Sequence, residues 1–215
     1  ACGLKAPDVE FKRPEVSVFA SQGLCEGLSD SAQSEGECGH VVVSMVAPDD
    51  AEDKTWAYWT AGTNQVAIDI PAAQLASNAW DMRMTQRFPI VGSNGGQTNE
   101  VSHNANGKAA FAVFDNARAK FLPQMKDEVL ALAFVEDLNQ SLQFEGLPLA
   151  AEYQNALVNT IGPGMLSGYD IANHTVELSF RTFILRAADG VSYFAIRFSG
   201  YEKLKTTTFD WRKLK

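Results

Sequence analysis

The sequence has no run approaching the ~18 consecutive apolar residues of a spanning helix and no intact signal peptide, so the mature chain is not expected to cross a bilayer. Histidine and cysteine are scarce, with three of each in 215 residues. No GxSxG, HExxH or phosphate-cradling glycine motif occurs, and the "GSNGG" at 92–96 lacks the Lys-Ser/Thr that would follow in a P-loop. With only His40, His103 and His174 to serve as a base, nothing points to a Ser-His-Asp arrangement, and adjacent acids such as Asp49 and Asp50 are too ordinary in loops to indicate glycosidase chemistry. The chain reads as a non-enzyme. Positive charge is also short: Lys and Arg total 18 against 26 Asp and Glu, a net charge of −8. That balance opposes phosphate-backbone contacts and discounts DNA and RNA as partners. Residues 26–53 carry Glu26, Asp30, Glu35, Glu37, Asp49, Asp50, Glu52 and Asp53 with no Lys or Arg, the pattern of a solvated acidic face.

What is present is a 46% hydrophobic chain long enough to bury one substantial core. Residues 1–16, polar and charged around Pro7 and Pro14, read as a tether, and residues 17–215 as one domain. The β-branched run "HVVVSMVA" (40–47) predicts a buried strand, and "TWAYWTAGTNQVAIDI" (55–70) predicts two strands joined near "AGTN", with Trp56, Tyr58 and Thr60 facing one way and Ala57 and Trp59 the other. Pro71 opens a helical turn in 71–79. A strand over "WDMRMTQRF" places Trp80, Met82 and Met84 on one face and Asp81, Arg83 and Thr85 on the other. The glycines and amides of 92–108 predict a long surface loop, which is usually functional or disordered. "KAAFAVF" (108–114) returns to strand, good helix formers over 127–142 predict a helix, and the glycines and proline of "GPGMLSGYD" (162–170) argue against regular structure. Alternation through Val176, Leu178 and Phe180 shifts phase near Arg181, suggesting a bulge, and Asp189-Gly190 turns a hairpin that resumes with Phe194, Ile196 and Phe198. The sum is mainly β: a single β-rich domain of antiparallel sheets with one or two helices.

Cys25 and Cys38 lie in a Gly/Ser/Glu-rich segment where a reduced pair has little structural purpose. A disulfide there closes a loop and stabilises the fold by about 3 kcal/mol in the chain-entropy model, and it implies an oxidising compartment. The competing reading, a metal site formed with His40, lacks a fourth ligand and any CxxC spacing. Cys2 is then the odd cysteine. Beside Ala1 and Gly3 it matches the start of a processed bacterial lipoprotein, which predicts lipid attachment at Cys2.

The remaining chemistry is a set of soft or aromatic side chains in irregular segments: Met125, Met165, Tyr169, His174 and His103. Such residues suit a flat apolar ligand held between loops, above all a metalloporphyrin whose iron takes axial His, Met or Tyr, although each alone also suits simple packing.

Three segments, "TWAYWTAGTNQV", "AWDMRMTQRFPIVGSNGG" and "LSFRTFILRAADGVSYFAIRFSGYEKL", in this order and spacing over roughly 54–204, resemble the HmuY family of haem-binding bacterial outer-membrane lipoproteins. The resemblance implies a β-rich, HmuY-like fold in which Trp80-Asp81 belongs to a core strand. It implies a secreted protein at the outer membrane or cell surface, in contact with the membrane only through a lipid anchor. Such a protein takes haem and passes it to a TonB-dependent outer-membrane receptor. Better-known members place two axial ligands in the region equivalent to about 140–170, where this sequence has no histidine. Met165 and Tyr169 fall near the second position, His174 just beyond it, and Tyr153 is the one plausible ligand near the first, so bis-histidine ligation is not expected. Met165 is the leading axial ligand, with Tyr169 or His174 next. The alternative is a surface lipoprotein of the same fold that binds another small ligand or a protein partner, without haem, through the 92–108 loop and the acidic segment.

Overall fold

The computed structural model describes residues 24–25, 37–44, 56–85, 91–95, 104, 106–114, 126–134, 143–144, 147–148, 166–170, 175–178, 181–202 and 206–215. In chain order the elements are β1 (Cys38–Ser44), β2 (Trp56–Thr60), β3 (Gln65–Ile68), α1 (Ala72–Leu75), β4 (Met82–Thr85), β5 (Val91–Ser93), β6 (Ala110–Phe114), α2 (Lys126–Leu130), β7 (Gln143–Phe144), β8 (Leu147–Pro148), β9 (Leu166–Asp170), β10 (Thr175–Leu178), β11 (Thr182–Arg186), β12 (Tyr193–Glu202) and β13 (Thr206–Lys213). Every named pairing is antiparallel. A five-stranded sheet runs β1-β13-β12-β11-β6 and a four-stranded sheet β3-β2-β4-β5, beside two-stranded pairs β9-β10 and β7-β8. The chain is thus mainly β, with two short helices among the described residues.

Period-two alternation explains how the two larger sheets meet. Val41, Val43, Phe111, Phe183, Leu185, Phe194, Ile196, Phe198, Phe209 and Trp211 from the first, and Ala57, Trp59, Met82, Met84 and Val91 from the second, close on one another as the main core. Trp59 is fully buried at its centre, its ring edge-on to Phe194 at 6.1 Å and to Phe209 at 5.2 Å. Its indole N–H is satisfied by the Asn64 side-chain oxygen at 3.0 Å, which lets so large a polar-tipped ring sit in apolar surroundings. Gly39, opposite Trp211 in the ladder, leaves room for that indole: a Cβ there would lie 2.5 Å from Trp211 Nε1.

The other face of the five-stranded sheet is laid out in rows. The register aligns Cys38, Arg212, Ala195, Ile184 and Ala112 across all five strands. Next to it run His40, Asp210 and Arg197, and the Arg197 Nη2 donates to Thr182 Oγ1 at 2.7 Å. Over the first row sits a second apolar cluster of Leu24, Phe114, Val129, Ile184 and Ala195, with Leu132, Phe134 and Tyr193 packed against it. Cys25 and Cys38 are joined by a disulfide, Cα–Cα 5.5 Å, which brings the Leu24 segment to this face.

The strand pair in 55–70, its two faces, the helical turn after Pro71 and the Asp189-Gly190 hairpin match the sequence expectations. Several expectations do not survive. Trp80 does not share the Met82 and Met84 face: β4 starts only at Met82, so Trp80 lies outside the pleat, and its ring packs edge-on against Tyr58 at 5.1 Å on the far side of the sheet. The loop 92–108 is not simply a surface loop, because Ser93, Asn94 and Asn104 are buried and β5 is part of the four-stranded sheet. The helix foreseen over 127–142 ends at Leu130 and gives way to a turn, and residues 135–142 lie outside the described set. Within 162–170, residues Leu166–Asp170 form a strand despite Gly168, since pairing with β10 outweighs local propensity. The phase shift near Arg181 marks a change of sheet: β10 pairs with β9, while β11 pairs with β6 and β12. The register of β10 against β9 does shift close to the expected place, between Glu177 and Leu178, and a further shift falls between Phe198 and Gly200 in the β12–β13 pair.

Candidate functional site

The segments that stand out in the sequence converge on Asp81. It follows Trp80 at the entry to β4, and its own backbone ties it to both neighbours: its N–H donates to Trp59 O at 2.9 Å and its carbonyl accepts from Asn94 N at 3.0 Å. Its carboxylate then bridges the two sheets. Oδ2 accepts from Ala61 N at 2.8 Å, just past β2, and Oδ1 accepts from Ala188 N at 2.8 Å, in the turn between β11 and β12. Burial raises the Asp81 pKa above the usual carboxylate value, the two amide hydrogen bonds oppose that rise, and the negative charge of Asp189 adds to it. Asp189 is shifted the other way. Its slight burial favours the neutral acid, but the Ser192 hydroxyl and the amides of Ser192 and Val191 prevail and hold its pKa below the ordinary value.

Asn94 organises the start of the glycine-rich loop. Its side-chain amide donates to Ser77 O at 2.8 Å and to Trp80 O at 2.7 Å, and its carbonyl accepts from Ala109 N at 3.2 Å. A Cβ on Gly107 would collide with the Asn94 backbone oxygen, so the close return of the loop requires glycine there. Asn104 Oδ1 in turn accepts from Asn106 N at 3.1 Å. These amides do for the backbone what a ladder does in a strand, which is why polar residues here can be buried.

Of the candidate ligands, Met165, His174 and Tyr153 lie outside the described residues, as do Met125 and His103. Tyr169 stands on β9, opposite Val176 of β10. β10 lies beside β12, and Leu178 at its end packs against the main core. The segment expected to carry the ligands is therefore continuous with a hairpin set against the final long strand. On the core-facing side of neighbouring β13, Thr207 is 1% exposed and its hydroxyl has no hydrogen-bond partner. It is paired in register with Tyr201 of β12, which also packs against the core.

No protein-family model matches the chain, and no curated protein sequence matches it. Among solved structures it is similar to the crystal structure of the apo HmuY analogue of Tannerella forsythia, with a TM-score of 0.48 and 16% sequence identity over 82% of this chain and 97% of that one.

His40 Nδ1 meets Asp210 Oδ1 at 2.5 Å across the β1–β13 ladder, and no group of three or more metal-binding side chains occurs among the described residues. Arg83, fully buried, places its guanidinium over Trp56 at 4.4 Å and Trp80 at 5.5 Å from the ring centroids, on the face away from the main core. Sequence reasoning did not single out Asp81 or Asn94 as the joints of the fold. The available signal was an acid between a tryptophan and the start of β4, and an Asn-Gly pair directly after β5.

Proposed function

We propose that the chain is a non-enzymatic haem- or porphyrin-binding lipoprotein of the outer membrane or cell surface, anchored through Cys2, that hands its ligand to a TonB-dependent receptor. The reading rests on the ordered resemblance of three sequence segments to the HmuY family. The structural observation that best supports it is the placement of the β9–β10 hairpin, bearing Tyr169, beside β12 with Leu178 at the edge of the core. Nearby, the buried Thr207 of β13, in register with Tyr201 of β12, has a hydroxyl without a hydrogen-bond partner. Met165 immediately precedes β9 and His174 immediately precedes β10, so the three candidate donors bracket one hairpin in the sequence. When bound, the iron would take a thioether, phenolate or imidazole as axial donor. The role of this chain's residues is to present that donor from the hairpin and to cover the ring's apolar faces. No helix among the described residues is long and apolar enough to span a membrane.

The test is titration of haem into the purified chain, followed by visible spectroscopy under oxidising and reducing conditions. A saturable Soret shift is the expected result. A flat titration under both conditions, with specific capture of another small molecule or a protein partner, would replace haem by the second reading of the same fold.

A further inference from the structure

We infer that the Cys25–Cys38 disulfide is a redox-sensitive latch that holds Leu24 as a plug in the apolar cluster on the outer face of the five-stranded sheet. The geometry is specific. Cys38 stands at the β1 end of the row Cys38, Arg212, Ala195, Ile184, Ala112. Its partner Cys25 is the residue directly after Leu24, and Leu24 belongs to the same buried cluster as Ala195 and Ile184 of that row, together with Phe114 and Val129. Leu24 is 6% exposed. Among the described residues, Arg212 Nη1 donates to Leu24 O at 3.5 Å, at the limit of a hydrogen bond. The crosslink at the adjacent Cys25 is the covalent restraint that keeps the Leu24 side chain seated in its cluster.

The latch opens by thiol–disulfide exchange with a dithiol reductant. Cys38 is buried while Cys25 is partly exposed, so the thiolate of the reductant attacks the Cys25 sulfur and Cys38 leaves as a thiolate that takes up a proton. The second thiol of the reductant then displaces Cys25, giving two protein thiols and the oxidised, cyclic reductant. Leu24 is thereby released from its tether, and the cluster of Phe114, Val129, Ile184 and Ala195 is uncovered while the main core, on the opposite face of the sheet, is untouched.

The experiment uses the full chain with dithiothreitol as the reductant and an anilinonaphthalene dye as the probe of exposed apolar surface. Thiol titration confirms that reduction frees two additional thiols, and near-ultraviolet circular dichroism reports the packing of Trp59 and Trp211. Reduction is expected to raise dye emission several-fold with an unchanged near-ultraviolet spectrum, and reoxidation to reverse it. Leu24→Ser should give the same emission while still oxidised, and reduction should then add little. The idea is overturned if dye emission stays flat after both thiols are freed, if Leu24→Ser in the oxidised state binds no dye, or if reduction abolishes the near-ultraviolet signal. The last result would make the disulfide a staple of the whole fold rather than a latch on one face. A Cys25→Ser, Cys38→Ser double variant must behave as the reduced protein.

Discussion

Asp81 and Ala188, 107 residues apart in the chain, are joined by a 2.8 Å hydrogen bond from the Ala188 amide to the buried Asp81 carboxylate. Because the second oxygen of that carboxylate holds Ala61 N at 2.8 Å, one side chain fastens the end of β2 to the turn of the β11–β12 hairpin. Replacing it by alanine strips two buried amides of their acceptor. Asp81→Ala is expected to lower unfolding free energy by about 2–6 kcal/mol, since each orphaned buried donor costs about 1–3 kcal/mol. Denaturant titration measures this, and a loss below about 1 kcal/mol would show that the clasp is dispensable.

The same carboxylate gives a pH signature. Its folded pKa is raised above 3.8, chiefly by burial, so the native state keeps the proton to higher pH than the unfolded chain does. The stability it contributes is therefore full below 3.8 and falls as pH rises through the folded value. The advantage of wild type over Asp81→Ala should grow as pH is lowered from neutral. Asp189, with its pKa lowered, behaves oppositely: its contribution is present above 3.8 and is lost as pH falls through the folded value. Stability curves of Asp81→Ala and Asp189→Ala against wild type, followed from acid pH to neutrality, should thus have slopes of opposite sign. Parallel slopes would contradict the assignment.

Asn94→Ala removes the amide that satisfies Ser77 O and Trp80 O. A loss of about 1–3 kcal/mol is expected, together with faster amide exchange at Ala109, whose N–H donates to Asn94 O. Exchange unchanged at Ala109 would mean that the loop does not depend on this side chain.

Thr207→Val tests the buried hydroxyl that lacks a partner. Swapping it for a methyl of similar shape removes a desolvation penalty, so the apo protein should gain stability, by up to about 1–2 kcal/mol. A destabilised variant would reveal a hydrogen bond to this hydroxyl.

For the proposed ligand site, Met165→Ala should change the position or intensity of the Soret band, and Tyr169→Phe should do so less or not at all. If Tyr169→Phe alone alters the spectrum, the axial donor is the phenolate and the order proposed for the ligands is reversed.

Much of the β architecture was legible because alternation is a local property: Ala57 and Trp59 against Tyr58, or Phe183 and Leu185 against Ile184, declare their faces within a few residues. The Cys25–Cys38 link was legible too, since the segment offers those two thiols no other evident use. Trp80 was misplaced because alternation holds only inside a strand, and nothing local says that β4 begins at Met82. The β9 strand was missed because Gly168 and the preceding glycines argue against it until its partner β10 is known.

The residues themselves determined that this chain is β-rich, acidic and crosslinked once near its beginning, because composition and period-two patterning act over neighbouring positions. Only the folded structure decided that Asp81 bridges two sheets, that Asn94 and Asn104 are interior residues, and that Leu24 joins Ile184 and Ala195 in one buried cluster. Those facts depend on which distant backbone amides and apolar side chains meet, and that is set by the packing of whole sheets, where each contact is fixed by many others far away in sequence.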